Sequence, residues 1–219
     1  MQSEVFAAAD VHYRGSGGAR AAAVLAADAA FSVVIGEQIT VVPEVMPYRP
    51  GEFYLRELPP LRSVLRGVRG LSLLVVDGYV DLDPSGRPGL GAHAHAELGV
   101  PVIGVAKSAF RTATHAVPVL RGTATRPLFV TAAGMSRREA ADLVRSMAGR
   151  FRLPDALRRA DALARRGRPG SEAEGGADGI RDEGGGKPRG HRVLGAPSAS
   201  PDRPGSWGRM SKSARRPCP

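Results

Sequence analysis

EVFAAADVHYRGSGGARAAAVLAADAAFSVVIGEQITVV, residues 4–42, decides the fold. Three apolar runs stand in it, at 4–13, 21–27 and 31–42. The first break is Arg14 to Gly18 (RGSGG), and the second carries the pair Asp28-Ala29. Connections this short join neighbouring antiparallel strands, so the stretch predicts a three-stranded meander.

Outward from the meander the pattern changes. Pro43 to Gly51 (PEVMPYRPG) holds three prolines and a glycine and predicts a rigid loop. From Phe53 to Val68 the apolar positions Leu55, Leu58, Leu61, Val64, Leu65 and Val68 recur at helical steps, which places Pro59 and Pro60 in or before the first turn. LSLLVVDGYV at 71–80 and PVIGVAK at 101–107 predict buried strands, with a loop at 84–91 and a short helix at 92–98 between them. That order implies a parallel pair joined by a right-handed crossover. RPLFVTAAG at 126–134 adds a strand. Ser136 with Glu139 forms a capping box for the next helix, and a last helix is expected over 154–164. The predicted class is α/β: a ribonuclease H-like mixed sheet, antiparallel meander plus parallel strands, flanked by helices.

Composition sets the limits. Of the 219 residues 42% are hydrophobic but only 5% aromatic, so the core must be built from Ala, Val and Leu. The net charge of +10 suits a polyanionic partner. Its distribution tempers that reading, because residues 165–219 carry 12 Lys or Arg against 6 Asp or Glu, leaving 19 against 15 for the rest. Residues 167–219 contain 12 glycines and almost no large apolar side chains. Such a segment cannot offset its ordering entropy, so the expected organisation is a folded domain at 1–165 and a disordered Gly/Pro/Arg-rich tail at 166–219. The single cysteine, Cys218, excludes an intramolecular disulfide. No apolar run approaches the ~20 residues of a membrane helix, and the first residues lack a secretory layout. A soluble, cytoplasmic monomer with no membrane partner is expected.

Two aspartates sit where apolar strands end: Asp10 late in the first strand, and Asp77 in VVDG. Unpaired carboxylates are costly there. On adjacent strands they would converge, and a divalent cation would remove their repulsion, because Mg²⁺ prefers carboxylate oxygens and water. Glu57, in the helix after the rigid loop, is a candidate third acid. Phosphodiester hydrolysis wants such a cluster. Taken alone, the residues leave a second reading open, in which Asp10 and Asp77 only cap turns.

Together the motifs resemble the endonuclease V family. The chain has an aspartate on the first strand in AADVHY, a proline-flanked tyrosine in MPYRPG (46–51) and the pair Arg56-Glu57. Val76-Asp77-Gly78 and the strand Ile103 to Lys107 follow in the family's order and near its spacing. The resemblance covers roughly residues 5–165. It implies Mg²⁺, with Mn²⁺ as a substitute, held by Asp10 and Asp77 with Glu57 close by, and Lys107 near the phosphate. It implies that Tyr48, carried by Pro47, Arg49 and Pro50, wedges beside a lesion. The lesion base, hypoxanthine of inosine in DNA or RNA, would enter a pocket built on Gly78 and Gly104, where a side chain would block it. The family nicks the second phosphodiester 3′ of the lesion.

The departures are specific. Gly78 is followed by Tyr79 where the family has Gly-His, Asp83-Pro84 replaces a His-Pro, and Gly134-Met135 replaces another Gly-His. Residues 1–4 are expected to hold no counterpart of the family's helix before the first strand. Asp83 and Asp161 are additional candidates for metal. His93 is expected to be structural, and His12 and His115 to lie at the surface. Two alternatives accompany the nuclease: a catalytically altered relative that binds nucleic acid, or a metal-dependent hydrolase of a small phosphate substrate.

Overall fold

The computed structural model describes residues 3–14, 17–47 and 53–166. The tail and the tip of the tyrosine loop, Tyr48 to Glu52, lie outside the described residues.

The meander forms as β1 (Val5–Tyr13), β2 (Ala19–Ala26) and β3 (Val34–Val42), each antiparallel to the last. Asp28 closes the second turn, its carboxylate accepting from the Ser32 and Val33 amides and the Ser32 hydroxyl. β4 (Leu71–Asp77) runs parallel to β1, and β5 (Val102–Ala106) parallel to β4. Helix α1 (Tyr54–Leu65) leads into β4, and α2 (Leu90–Leu98) joins β4 to β5. Beyond β5 come β6 (Val117–Val119) and β7 (Leu128–Ala133), then α3 (Arg137–Ser146) and α4 (Asp155–Arg166). The sheet order is β3-β2-β1-β4-β5-β7-β6, the mixed ribonuclease H-like sheet that the sequence predicts.

Alternation along each strand builds two cores. Ala8, Ala22, Val24, Val75, Ile103 and Val130 face α3 and α4. Ala7, Ala9, Ala21, Ala23, Leu74 and Val76 face α1 and α2. Alanines on both faces let the helices approach closely. The capping box of α3 is present, Ser136 Oγ accepting from the Glu139 amide at 3.2 Å and Glu139 returning to the Ser136 amide at 3.1 Å.

Two expectations are corrected. Pro59 and Pro60 lie inside α1, not at its start. They remove the donors that would reach the carbonyls of Leu55 and Arg56. The helix survives because Pro60, Leu61, Val64 and Leu65 are buried against the sheet. The strand β6 was absent from the sequence reading, since three residues with a central proline carry no period and pair only at the sheet edge.

Candidate functional site

Strand register brings the two aspartates together. Ala9 pairs with Val76 in the parallel β1–β4 ladder, so the next residues, Asp10 and Asp77, are neighbours on strands about 4.8 Å apart. Glu57 arrives from the first turns of α1. All three line one recess with Ala9, Val11, Leu61, Val76 and Leu90, and it has room for about 10 Å³, a single water-sized ligand.

The electrostatics of the recess are unfavourable as it stands. Burial, reinforced by Asp77 and Asp161, pushes Asp10 up to about 6. Burial, reinforced by Asp10 and Asp77, pushes Glu57 up to about 8. Lys107, two residues past the β5 partner of Asp77, donates to the Asp77 carboxylate and is the cation that faces this cluster most directly. Among the described residues, no three Asp, Glu, His or Cys side chains already stand at the spacing of a closed ligand shell.

The other candidates separate. Asp161, on α4, is close enough to Asp10 to raise its pKa, and its own carboxylate accepts from Arg165 at 2.9 Å. Asp83 does not join the recess. It holds an Asx-type turn, accepting from the Ser85 and Arg87 amides at 3.1 Å, and it lines a different cavity with Asp81, His115 and Arg137. A short loop that satisfies its carboxylate locally has no reason to turn it toward Asp77. Gly78 has φ +140° and open space where a side chain would stand. Gly104 differs. A Cβ there would meet the Gly78 carbonyl at 2.7 Å and Thr131 Oγ1 at 2.8 Å, so this glycine lets the protein's own backbone pass rather than a base. Pro47 borders an apolar groove with Met46, Leu55 and Pro59; Tyr48, Arg49 and Pro50 lie outside the described residues.

Three histidines stand apart from the recess. His93 stacks on Tyr54 at 3.6 Å between centroids, and His95 Nδ1 lies 2.7 Å from the Val100 carbonyl. His115 departs from expectation, as both ring nitrogens are buried without a hydrogen-bond partner. The sequence reading also missed Tyr13, whose ring lies 4.2 Å from the Arg56 guanidinium. Burial, with Glu57 nearby, pushes its phenol up. Its position three residues past Asp10, near the end of the same strand, is the signal that could have found it.

Comparison with known proteins identifies the lineage. The family model Endonuclease V matches residues 1–129. Endonuclease V of Azotobacter vinelandii is 35% identical over 184 residues, covering 74% of this chain and 82% of its own. The chain belongs to the endonuclease V family. Its family is one of nucleases, which hydrolyse phosphodiester bonds. The Streptomyces avermitilis endonuclease V structure matches with a TM-score of 0.62 and 31% identity, over 75% of this chain and 81% of that one. Ciona intestinalis Endonuclease V, solved with a 24mer DNA containing an inosine followed by a ribo-adenosine, shares the endonuclease V fold. Its TM-score is 0.63 and its identity 18%, over 74% of this chain and 84% of that one. Among the described residues, no helix is long and apolar enough to cross a membrane.

Proposed function

We propose that this endonuclease V relative nicks nucleic acid beside deaminated purines, at the second phosphodiester 3′ of an inosine, with Mg²⁺ or Mn²⁺ bound in the carboxylate recess. One observation carries the reading: three carboxylates from three separate elements share a recess of one-ligand size, and two of them are held well above their ordinary range. A fold keeps such a conflict where a bound cation would resolve it. The donor set fits, being hard oxygen throughout. Mg²⁺ needs only one or two protein carboxylates when substrate phosphate completes its shell.

Asp10 and Asp77 would hold the ion, with Glu57 beside them and Asp161 as a more distant acid. When bound, the ion supplies Lewis acidity toward the phosphate and lowers the pKa of water. Lys107, now on Asp77, would turn its ammonium to the phosphate once the cation takes the carboxylate. Gly78 leaves open backbone where the displaced base would approach, and Tyr48 would fill the gap left in the stack. The inosine-containing DNA bound by the Ciona enzyme motivates the choice of lesion. One observation favours a weaker enzyme: Asp83 is committed to its own turn, so nothing described replaces the family histidine at that place.

The test is incubation of the protein with inosine-containing and control strands, in Mg²⁺, Mn²⁺ and chelator. Cutting of the inosine strand alone, one bond beyond the lesion's 3′ neighbour and abolished by chelator, is the expected result. Binding without cutting in every metal would move the protein to the non-cleaving reading.

A further inference from the structure

Lys107 is the first residue past the end of β5, so the ladder no longer holds its backbone. A lysine is a compact charge on a flexible four-carbon stem, and it delivers that charge reproducibly only if its own backbone is fixed. Two side chains outside the recess do the fixing. Arg152, in the connection between α3 and α4, donates from Nη2 to the Lys107 carbonyl, and to the Pro127 carbonyl at 2.6 Å. Tyr79, next to Gly78, donates from Oη to the Ser108 carbonyl at 2.8 Å and accepts from the Phe110 amide at 3.0 Å. Its ring packs against Phe110 with centroids 6.0 Å apart. Arg152 is anchored in turn, because Arg121 donates to the carbonyl of the preceding Phe151 at 3.0 Å.

We infer that Tyr79 and Arg152 are positioning residues for Lys107, gripping the backbone at 107, 108 and 110 from opposite ends of the chain's catalytic half. The inference deepens the nuclease reading and rests on it for the role of Lys107. It also gives the departure at Tyr79 a task. The phenol hydroxyl serves as donor and acceptor at once, which a phenylalanine cannot do. Both bonds of Arg152 leave one nitrogen, Nη2, which bridges the carbonyls of Lys107 and Pro127.

Tyr79→Phe keeps the ring and loses both hydrogen bonds; Arg152→Gln removes the charge and shortens the reach, while Arg152→Lys keeps a charged donor on a shorter stem. Nicking of inosine strands in Mg²⁺ should lose on the order of tenfold in kcat, as for a catalytic group displaced by a fraction of an ångström, with KM within about twofold. Arg152→Lys should recover part of the loss. A second readout is independent of activity. The sequence has three lysines, Lys107, Lys187 and Lys212, so ¹³C-dimethylation gives three lysine NMR signals besides that of the α-amine, and Lys107→Arg assigns the one that matters. In the unaltered protein the Lys107 methyl signal should be displaced from the other two, and in Tyr79→Phe and Arg152→Gln it should move toward them. An unmoved signal, or a moved signal with unchanged kcat, overturns the positioning role. If the unaltered protein cuts nothing, the nuclease reading falls with it, while the NMR signal still decides whether the two residues hold Lys107.

Discussion

Two places in this molecule take charge out of water, and they do so in opposite ways. Arg121, only 5% exposed, lies in a cage of carbonyls: its guanidinium donates to Met147, to Gly149 at 3.1 Å and to Phe151 at 3.0 Å. Every lone pair it needs comes from the connection between α3 and α4, so the cation is satisfied and the turn is fixed. The recess of Asp10, Glu57 and Asp77 gathers like charges, which Lys107 on Asp77 and Arg56 near Glu57 answer only in part. One region converts a buried charge into stability. The other holds its charges in tension, which a bound cation would relieve.

Replacing Asp10 or Asp77 by Asn tests the comparison most severely. Nicking should fall by about a thousandfold or more, because several kcal/mol of transition-state stabilisation depend on the bound metal. Thermal stability in chelator at pH 8 should hold or rise, since a repelling charge is gone. A variant that unfolds would put the recess in the same class as the Arg121 cage. Arg121→Met should show the reverse: cutting retained at low temperature, and stability reduced by about 3 kcal/mol or more through the stranded carbonyls. That is roughly a 6–12 °C fall in Tm by differential scanning calorimetry. An unchanged Tm would remove the cage from the account.

Tyr48→Ala belongs to neither region and should leave both untouched. The loss of stacking, about 1–3 kcal/mol, should cost tenfold to a hundredfold in preference for inosine strands over undamaged ones. Equal preference before and after would strike the wedge from the mechanism, and a parallel loss of Mg²⁺ affinity would make the loop a structural support. The smallest effect sharpens the contrast through pH. Asp10 and Glu57 are raised to about 6 and about 8, so the metal-free protein is stabilised by their protons at low pH and loses that contribution as pH climbs through those values. Mg²⁺ should therefore raise Tm more at pH 8 than at pH 5.5, by a few degrees at about 1.4 kcal/mol per pKa unit. A flat or reversed dependence, read by thermal melts with and without the ion, would mean that the carboxylates do not hold it.

Legibility in the sequence followed the nature of each signal. Runs such as AAAVLAA and LLVV stand out because strands buried on one or both faces write themselves in small and branched apolar residues. Asp10 and Asp77 stood out for the same reason, as charges at the ends of those runs, and Glu57 through its neighbouring arginine and proline loop. Arg121, Arg152 and Tyr79 were silent. Each acts on backbone carbonyls or amides far away in sequence, and backbone groups have no identity that a sequence records. Asp83 misled in the opposite direction, since its place after Gly78 suggested the site while Ser85 and Arg87 gave it a local home. Helix α1 was misread at its start because the prolines speak for local conformation, whereas burial of Leu61, Val64 and Leu65 decides the outcome.

The alanines at 7, 9, 21 and 23 carry one more consequence. They lie under α1 and α2 with essentially no exposure, and Ala9 also lines the recess. The small alanine side chains set how closely the helix rests on the sheet, and with it the reach of Glu57 toward Asp10. Drift at these positions toward any larger residue has no void to enter and can only lift the helix. The carboxylate recess is therefore calibrated by residues that carry no charge and make no polar side-chain contact. The chain's history should record them as immobile for reasons of dimension, not chemistry.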